Sequence, residues 1–177
     1  MKRVTHYEGK YKRFVSVDRW EFVERLNCWG IVGVLAVTED QRVILVEQMR
    51  IPVGKPVIEF PAGLADGAAG QGETLEDVAK RELLEETGYE AKKMKLCTQG
   101  PISSGSTSDI LSLFRAQEIK KVGPGGGDAT EAITVHEVPL LEIDSWLKQK
   151  EEEGILIDSK VYAGLYFLNQ KNKKANH

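Results

Sequence analysis

Apolar and polar residues alternate over residues 11–20, where Phe14, Val15, Val17 and Trp20 are the apolar members, and residues 21–27 continue in the same style. Successive side chains of a strand point to opposite faces, so a period of two predicts an extended hairpin at the start of the chain. Residues 31–37 and 43–48 are nearly unbroken aliphatic runs separated by the turn-forming Thr38-Glu39-Asp40-Gln41, and they read as central antiparallel strands. Residues 57–60 form a short strand ended by Pro61, residues 92–97 and 110–116 read as further strands, and the small polar stretch 101–109 as a loop.

The period then changes. Leu75, Val78, Ala79 and Leu83 share one face of a helix expected over residues 75–87, with Thr74 and Asp77 as a variant capping box and Gly88 as the left-handed residue that ends it. Residues 140–152, with Ile143, Trp146 and Leu147 on one face, are a second helix, and Asp158 caps a third that runs through Leu168. Gly123-Pro124-Gly125-Gly126-Gly127 predicts a mobile loop leading into an extended segment at 131–138. Strands on both sides of a central helix, with helices at the C-terminal end, define the class as α/β, a mixed sheet between helices.

Composition narrows the function. At 177 residues one domain is the simplest division, with residues 1–28 as an N-terminal ribbon, 29–170 as the main body and 171–177 as a frayed basic tail. The 24 basic and 27 acidic residues leave a net charge of −3, which offers no bulk attraction for nucleic acid or an anionic membrane. Residues 1–13 lack an apolar core of the signal-peptide kind, and the longest apolar stretch, 29–37, is too short to span a bilayer, so a soluble cytoplasmic protein is expected. Cys28 and Cys97 have no partner spacing and read as reduced, buried thiols; His6, His136 and His177 make no metal set.

Candidate chemistry lies on the first helix. Glu82, Glu85 and Glu86 stand at i, i+3 and i+4, so their carboxylates share a face. Like charges at that spacing cost the helix roughly 0.2–0.5 kcal/mol per pair and ask for a counter-charge. A divalent cation supplies it, and an all-oxygen donor set suits Mg²⁺, or Mn²⁺, better than zinc. The competing reading is a solvated acidic face with Arg81 paired to Glu85.

The surrounding pattern decides between them. Arg81-Glu82-Leu83-x-Glu85-Glu86-x-Gly88 resembles the Nudix box, G-x5-E-x7-R-E-U-x-E-E-x-G-U, where U is aliphatic. With Gln48-x-Arg50-x-Pro52-x-Gly54 and Glu59-Phe60-Pro61-Ala62-Gly63-Leu64 upstream, and residues 157–162 as weaker support, the chain resembles the ADP-ribose and nucleoside-diphosphate-sugar pyrophosphatase branch of the Nudix hydrolases. The resemblance implies a Nudix α/β/α sandwich whose N-terminal antiparallel ribbon serves a homodimer. It also implies Mg²⁺-dependent cleavage between the two phosphates of a nucleoside diphosphate sugar such as ADP-ribose. Metal ligation falls to Glu82, Glu85, Glu86 and the carbonyl of Ala62, with Glu131 as general base and further ligand, and Asp128 in reserve. Substrate contacts fall to Trp20, Glu21, Arg25, Arg50, Glu59, Ser103, Ser104 and Gly105, with Trp20 stacking the base at the subunit interface.

Three departures stand out. Gly63 lies far upstream of Glu73, so residues 64–72 carry an apparent insertion; Tyr89 replaces the aliphatic residue that closes the box; and Ser104 stands where many ADP-ribose enzymes have proline. The last broadens the expected range of nucleotide sugars. Two rivals remain: a non-catalytic sensor on the same fold, and a pyrophosphohydrolase of RNA 5′ ends, which the missing basic stripe disfavours.

Overall fold

A computed structural model describes residues 1–66, 72–127 and 132–174. Eleven strands are described: β1 (Arg3–Glu8), β2 (Lys12–Val17), β3 (Trp20–Arg25), β4 (Cys28–Leu35), β5 (Arg42–Arg50), β6 (Lys55–Glu59), β7 (Ala62–Asp66), β8 (Tyr89–Pro101), β9 (Ile110–Lys121), β10 (Thr134–Pro139) and β11 (Leu156–Ile157). Three helices accompany them: α1 (Leu75–Thr87), α2 (Ile143–Glu152) and α3 (Ser159–Lys174). No helix among the described residues is long and apolar enough to cross a membrane.

The expected N-terminal hairpin is β2 paired with β3, to which β1 adds a third strand. Every residue of β1 is exposed, so it carries no apolar alternation by which its sequence would betray it. The two aliphatic runs form β4 and β5, but they are not neighbours in one sheet. β4 lies in the order β7-β4-β9-β8 and β5 in the order β10-β5-β6-β11. A single bridge, Val37 to Val43, with the Ile44 amide donating to the Ala36 carbonyl at 3.0 Å, joins the two sheets. Residues 31–35 of β4 and 43–46 of β5 are buried on both faces, which explains their continuous aliphatic character and also why that character could not reveal the partner. Each four-stranded sheet is mixed, since β4 runs parallel to β9 and β6 parallel to β11.

Alternation along β4 and β5 sorts the core into two layers. Val32, Val34, Ala36 and Ile44 pack with Val78, Ala79 and Leu83 of α1, whereas Leu35, Val43 and Leu45 pack with Ile143 and Leu147 of α2 and Val161, Leu165 and Leu168 of α3. The result is helix, two sheets, helices, as the α/β/α expectation requires. Cys28 and Cys97 are half-buried rather than buried.

Candidate active site

The helix α1 begins as its sequence predicts. The Thr74 hydroxyl accepts from the Asp77 amide at 3.2 Å, and the Asp77 carboxylate accepts from the Thr74 amide at 3.0 Å. At the other end Gly88, at φ 72°, donates its amide to the Leu84 carbonyl. Packing of Val78, Ala79 and Leu83 against β4 and its neighbours fixes the rotation of the helix.

That rotation presents the three glutamates unequally. Glu85 is open to solvent, Glu82 is mostly covered and Glu86 is only 4% exposed. The cover is the backbone of β7. Pairing of Ala62 with Gly33 and of Gly63 with Val32 draws this short strand against α1, and the Ala62 amide donates to Glu86 Oε2 at 3.0 Å. A Cβ on Gly63 would lie 1.9 Å from Cδ of Glu82, so glycine alone lets that carboxylate rest on the strand. Arg81 donates through Nη1 to Glu82 at 2.8 Å and to Glu85 at 3.2 Å, and its Nε reaches Glu73 at 3.5 Å. Partial burial lowers the affinity of this guanidinium for its proton, but the charges of Glu82 and Glu85 outweigh that and raise its pKa above the ordinary arginine value. As they stand, no three His, Cys, Asp or Glu side chains among the described residues converge closely enough to hold a metal ion.

A cleft of about 620 Å³ opens over these groups. Three parts of the fold line it. Glu82, Glu85, Glu86 and Arg81 come from α1, with Ala62, Gly63, Leu64 and Asp66 from β7. Arg50 and Glu59, at the ends of β5 and β6, come from the second sheet with Lys160 of α3, and Arg50 Nε donates to Glu59 Oε2 at 2.6 Å. Arg25 joins Ile102, Thr107 and Asp109, and its Nε donates to Asp109 Oδ2 at 3.1 Å. Residues 103–108 dock on the edge of β3, where the Val23 amide donates to Ser106 O at 2.9 Å and the Ser108 amide to Val23 O at 3.2 Å.

Of the residues singled out in the sequence, Arg25, Arg50, Glu59, Ala62, Glu82, Glu85 and Glu86 therefore meet in one cleft. Trp20, Glu21, Ser103, Ser104 and Gly105 are exposed and do not line it. Glu131 and Asp128 lie outside the described residues. The glycine-rich segment before them was expected to be a mobile loop. Its described part is instead bound to the end of α1: the Gly126 amide donates to Glu86 O, the Gly127 amide to Glu85 O, and the amides of Val122 and Gly123 to Gly88 O. The last carbonyls of a helix lack partners within it, and this loop supplies them. Asp66, Asp109 and Lys160 were missed as lining residues. Only Lys160 left a trace in the sequence, as the residue two beyond the helix cap at Asp158.

Tyr89, the unusual last residue of the box, is buried and donates its hydroxyl to Glu137 Oε1 at 2.9 Å. Burial first, and the Glu137 carboxylate second, push its pKa up to about 12.

This helix, strand and cleft belong to a hydrolase scaffold, and comparison with known proteins defines which. Residues 30–156 match the NUDIX domain, and the chain belongs to the Nudix hydrolase family. It is 34% identical to the ADP-ribose pyrophosphatase of Bacillus subtilis (strain 168) over 143 residues, covering 80% of this chain and 73% of that protein. It is equally similar, 34% over 140 residues covering 78% and 71%, to the methanol dehydrogenase activator of Bacillus methanolicus. The ADP-sugar pyrophosphatase of Mus musculus is 33% identical with 94% and 85% covered. A crystal structure of an ADP compounds hydrolase superposes with a TM-score of 0.77 over 99% of this chain and 94% of that one, at 18% identity, which establishes the shared fold.

Proposed function

We propose that this protein cleaves the diphosphate bond of nucleoside diphosphate sugars, with ADP-ribose the leading substrate, giving a nucleoside monophosphate and a sugar phosphate. The observation that carries the reading is the meeting of Arg50 with Glu82, Glu85 and Glu86 in one cleft, a cation suited to a phosphate beside carboxylates suited to a metal. Substrates of this kind are named for the Bacillus subtilis and mouse relatives.

The donor set fits a hard divalent cation, Mg²⁺ or Mn²⁺. Glu82, Glu85, Glu86 and the Ala62 carbonyl offer only oxygen, and the space kept open at Gly63 gives Glu82 its seat. Arg81 now serves Glu82 and Glu85 as counter-charge, a role that a bound cation would share. Such a cation supplies neutralisation of phosphate oxygens and a water acidic enough to ionise near neutral pH. The chain supplies the rest. Arg50, steadied by Glu59, offers its remaining guanidinium donors to the diphosphate and holds it in register with the glutamates. Glu131, or Asp128 in its stead, takes the proton of the attacking water. Arg25, held by Asp109, orients the nucleoside end.

The adenine stacks on Trp20, with Glu21 beside it, of a second subunit. Trp20 is 56% exposed and outside the cleft of its own chain, which suits a residue that completes a site in a homodimer. Cys28 and Cys97 stand as thiols, which suits the cytoplasm.

The test is a panel of nucleotide sugars assayed with Mg²⁺ and with Mn²⁺, products identified. AMP and ribose 5-phosphate from ADP-ribose are the expected products. No turnover of any member would overturn the reading, and phosphate release from triphosphorylated RNA alone would move it to the other substrate class.

A further inference from the structure

We propose that Lys160 is a second phosphate-binding cation of the cleft, acting beside Arg50; the inference rests on the pyrophosphatase reading for the identity of the phosphates. The placement comes from strand pairing. β11 runs parallel to β6 with Leu156 beside Val57 and Ile157 beside Ile58, and the next residue, Asp158, donates its amide to Ile58 O at 3.0 Å. Asp158 is thereby set at the end of the sheet next to Glu59.

Each of these two acids holds a base that lines the cleft. Glu59 accepts from Arg50 at 2.6 Å. Asp158 accepts the Lys160 amide through Oδ1 at 2.8 Å, capping α3, and holds the Lys160 ammonium through Oδ2. The two acid–base pairs stand side by side, one on β6 and one at the start of α3, and both cations open on the same space as the three glutamates.

Charge decides their use. Of the four cations that line the cleft, Arg81 is engaged by three acids, Glu73, Glu82 and Glu85, and Arg25 pairs with Asp109 beside the 101–109 loop, while Arg50 pairs with Glu59 and Lys160 with Asp158, both at the end of the second sheet and outside the metal face. An ammonium carries three N–H donors, so Lys160 holds Asp158 and a phosphate oxygen together. The first turn of α3, whose positive dipole end lies at Ser159, adds to the potential there. A diphosphate has two phosphoryl groups, and Arg50 with Lys160 provides one cation for each. Lys160 then binds ground and transition states alike and acts on KM more than on kcat.

The experiment compares Lys160→Met, Lys160→Arg and, as an outside control, the exposed Lys148→Met of α2 with the parent. Turnover of ADP-ribose is followed together with calorimetric binding of AMP, ribose 5-phosphate and uncharged adenosine. Lys160→Met should raise KM about tenfold with kcat within twofold, and weaken one of the two monophosphates about tenfold while leaving adenosine unchanged. Lys160→Arg should restore most of the loss, and Lys148→Met should match the parent. Unchanged KM and unchanged monophosphate binding in a Lys160→Met protein that melts like the parent would overturn the proposal. So would equal weakening of adenosine, which marks a disturbed helix start rather than a lost phosphate contact. A parent that hydrolyses no nucleotide sugar, but whose AMP or ribose 5-phosphate binding still depends on Lys160, would discard the substrate reading and keep the phosphate role.

Discussion

The amide of Gly126 donates to the carbonyl of Glu86 at 2.8 Å, and the next amide, of Gly127, donates to the carbonyl of Glu85 at 3.1 Å. The glycine-rich loop is thus fastened to the two residues whose side chains face the cleft from the last turn of α1. Gly125 makes this possible. It sits at φ 71°, and a Cβ there would lie 2.4 Å from the carbonyl carbon of Thr87. Gly125→Ala should cost about 2 kcal/mol or more, from the left-handed backbone and the clash together, and lower kcat about tenfold. Gly123→Ala, whose Cβ would meet nothing within 4 Å, is the matched control and should behave as the parent. Melting temperatures and steady-state kinetics of the pair check this; equal behaviour of the two variants would show that the loop does not steady the helix.

Gly63→Ala should separate activity from stability. The added methyl would collide with Cδ of Glu82, the end of a flexible side chain that can swing away, rather than with backbone. We expect a stability loss below about 1 kcal/mol but a fall in kcat/KM on the order of a hundredfold, because a carboxylate displaced by an ångström would no longer reach the cation proposed for it. Denaturant titration and turnover under saturating Mg²⁺ measure the two effects.

Tyr89→Phe should change the alkaline limb of stability. The folded-state pKa of about 12 exceeds the ordinary value of 10.0, so the folded protein holds this proton more tightly than the unfolded chain. The corresponding stabilisation is complete below pH 10, is lost as pH rises from 10 to 12, and amounts to about 1 kcal/mol of loss by pH 11. Urea unfolding at pH 9 and pH 11 should show a smaller drop for Tyr89→Phe than for the parent. An identical drop in both would assign the alkaline loss to other groups.

Trp20→Ala should raise KM for adenine nucleotide sugars about tenfold with a lesser effect on kcat, since base stacking binds ground and transition states alike. The same KM in variant and parent would reduce Trp20 to an exposed residue of β3.

Much of the site was legible because it is local. The 3.6 period, the Thr74 cap and Gly88 placed α1 to the residue, and the shared face of the three glutamates followed from spacing, although only the surrounding box motif favoured a site there over a solvated acidic face. Arg50 and Glu59 were legible through motif, and the structure pairs them. What the chain concealed is non-local. β7 is built of small residues, Ala-Gly-Leu-Ala-Asp, that carry no strand signature, and its pairing with β4 exists only in three dimensions. Asp109 meets Arg25 across 84 positions of sequence. The glycine-rich run was read from its intrinsic freedom, whereas helix carbonyls in need of donors had already claimed its amides.

The docking of residues 103–108 on the edge of β3 makes the first strands a wall of the cleft. A chain begun at residue 29 would strip Ser106 and Ser108 of their Val23 partners and Asp109 of Arg25. Shortening the protein at that seam would therefore unmake one side of the cleft while leaving both core layers intact.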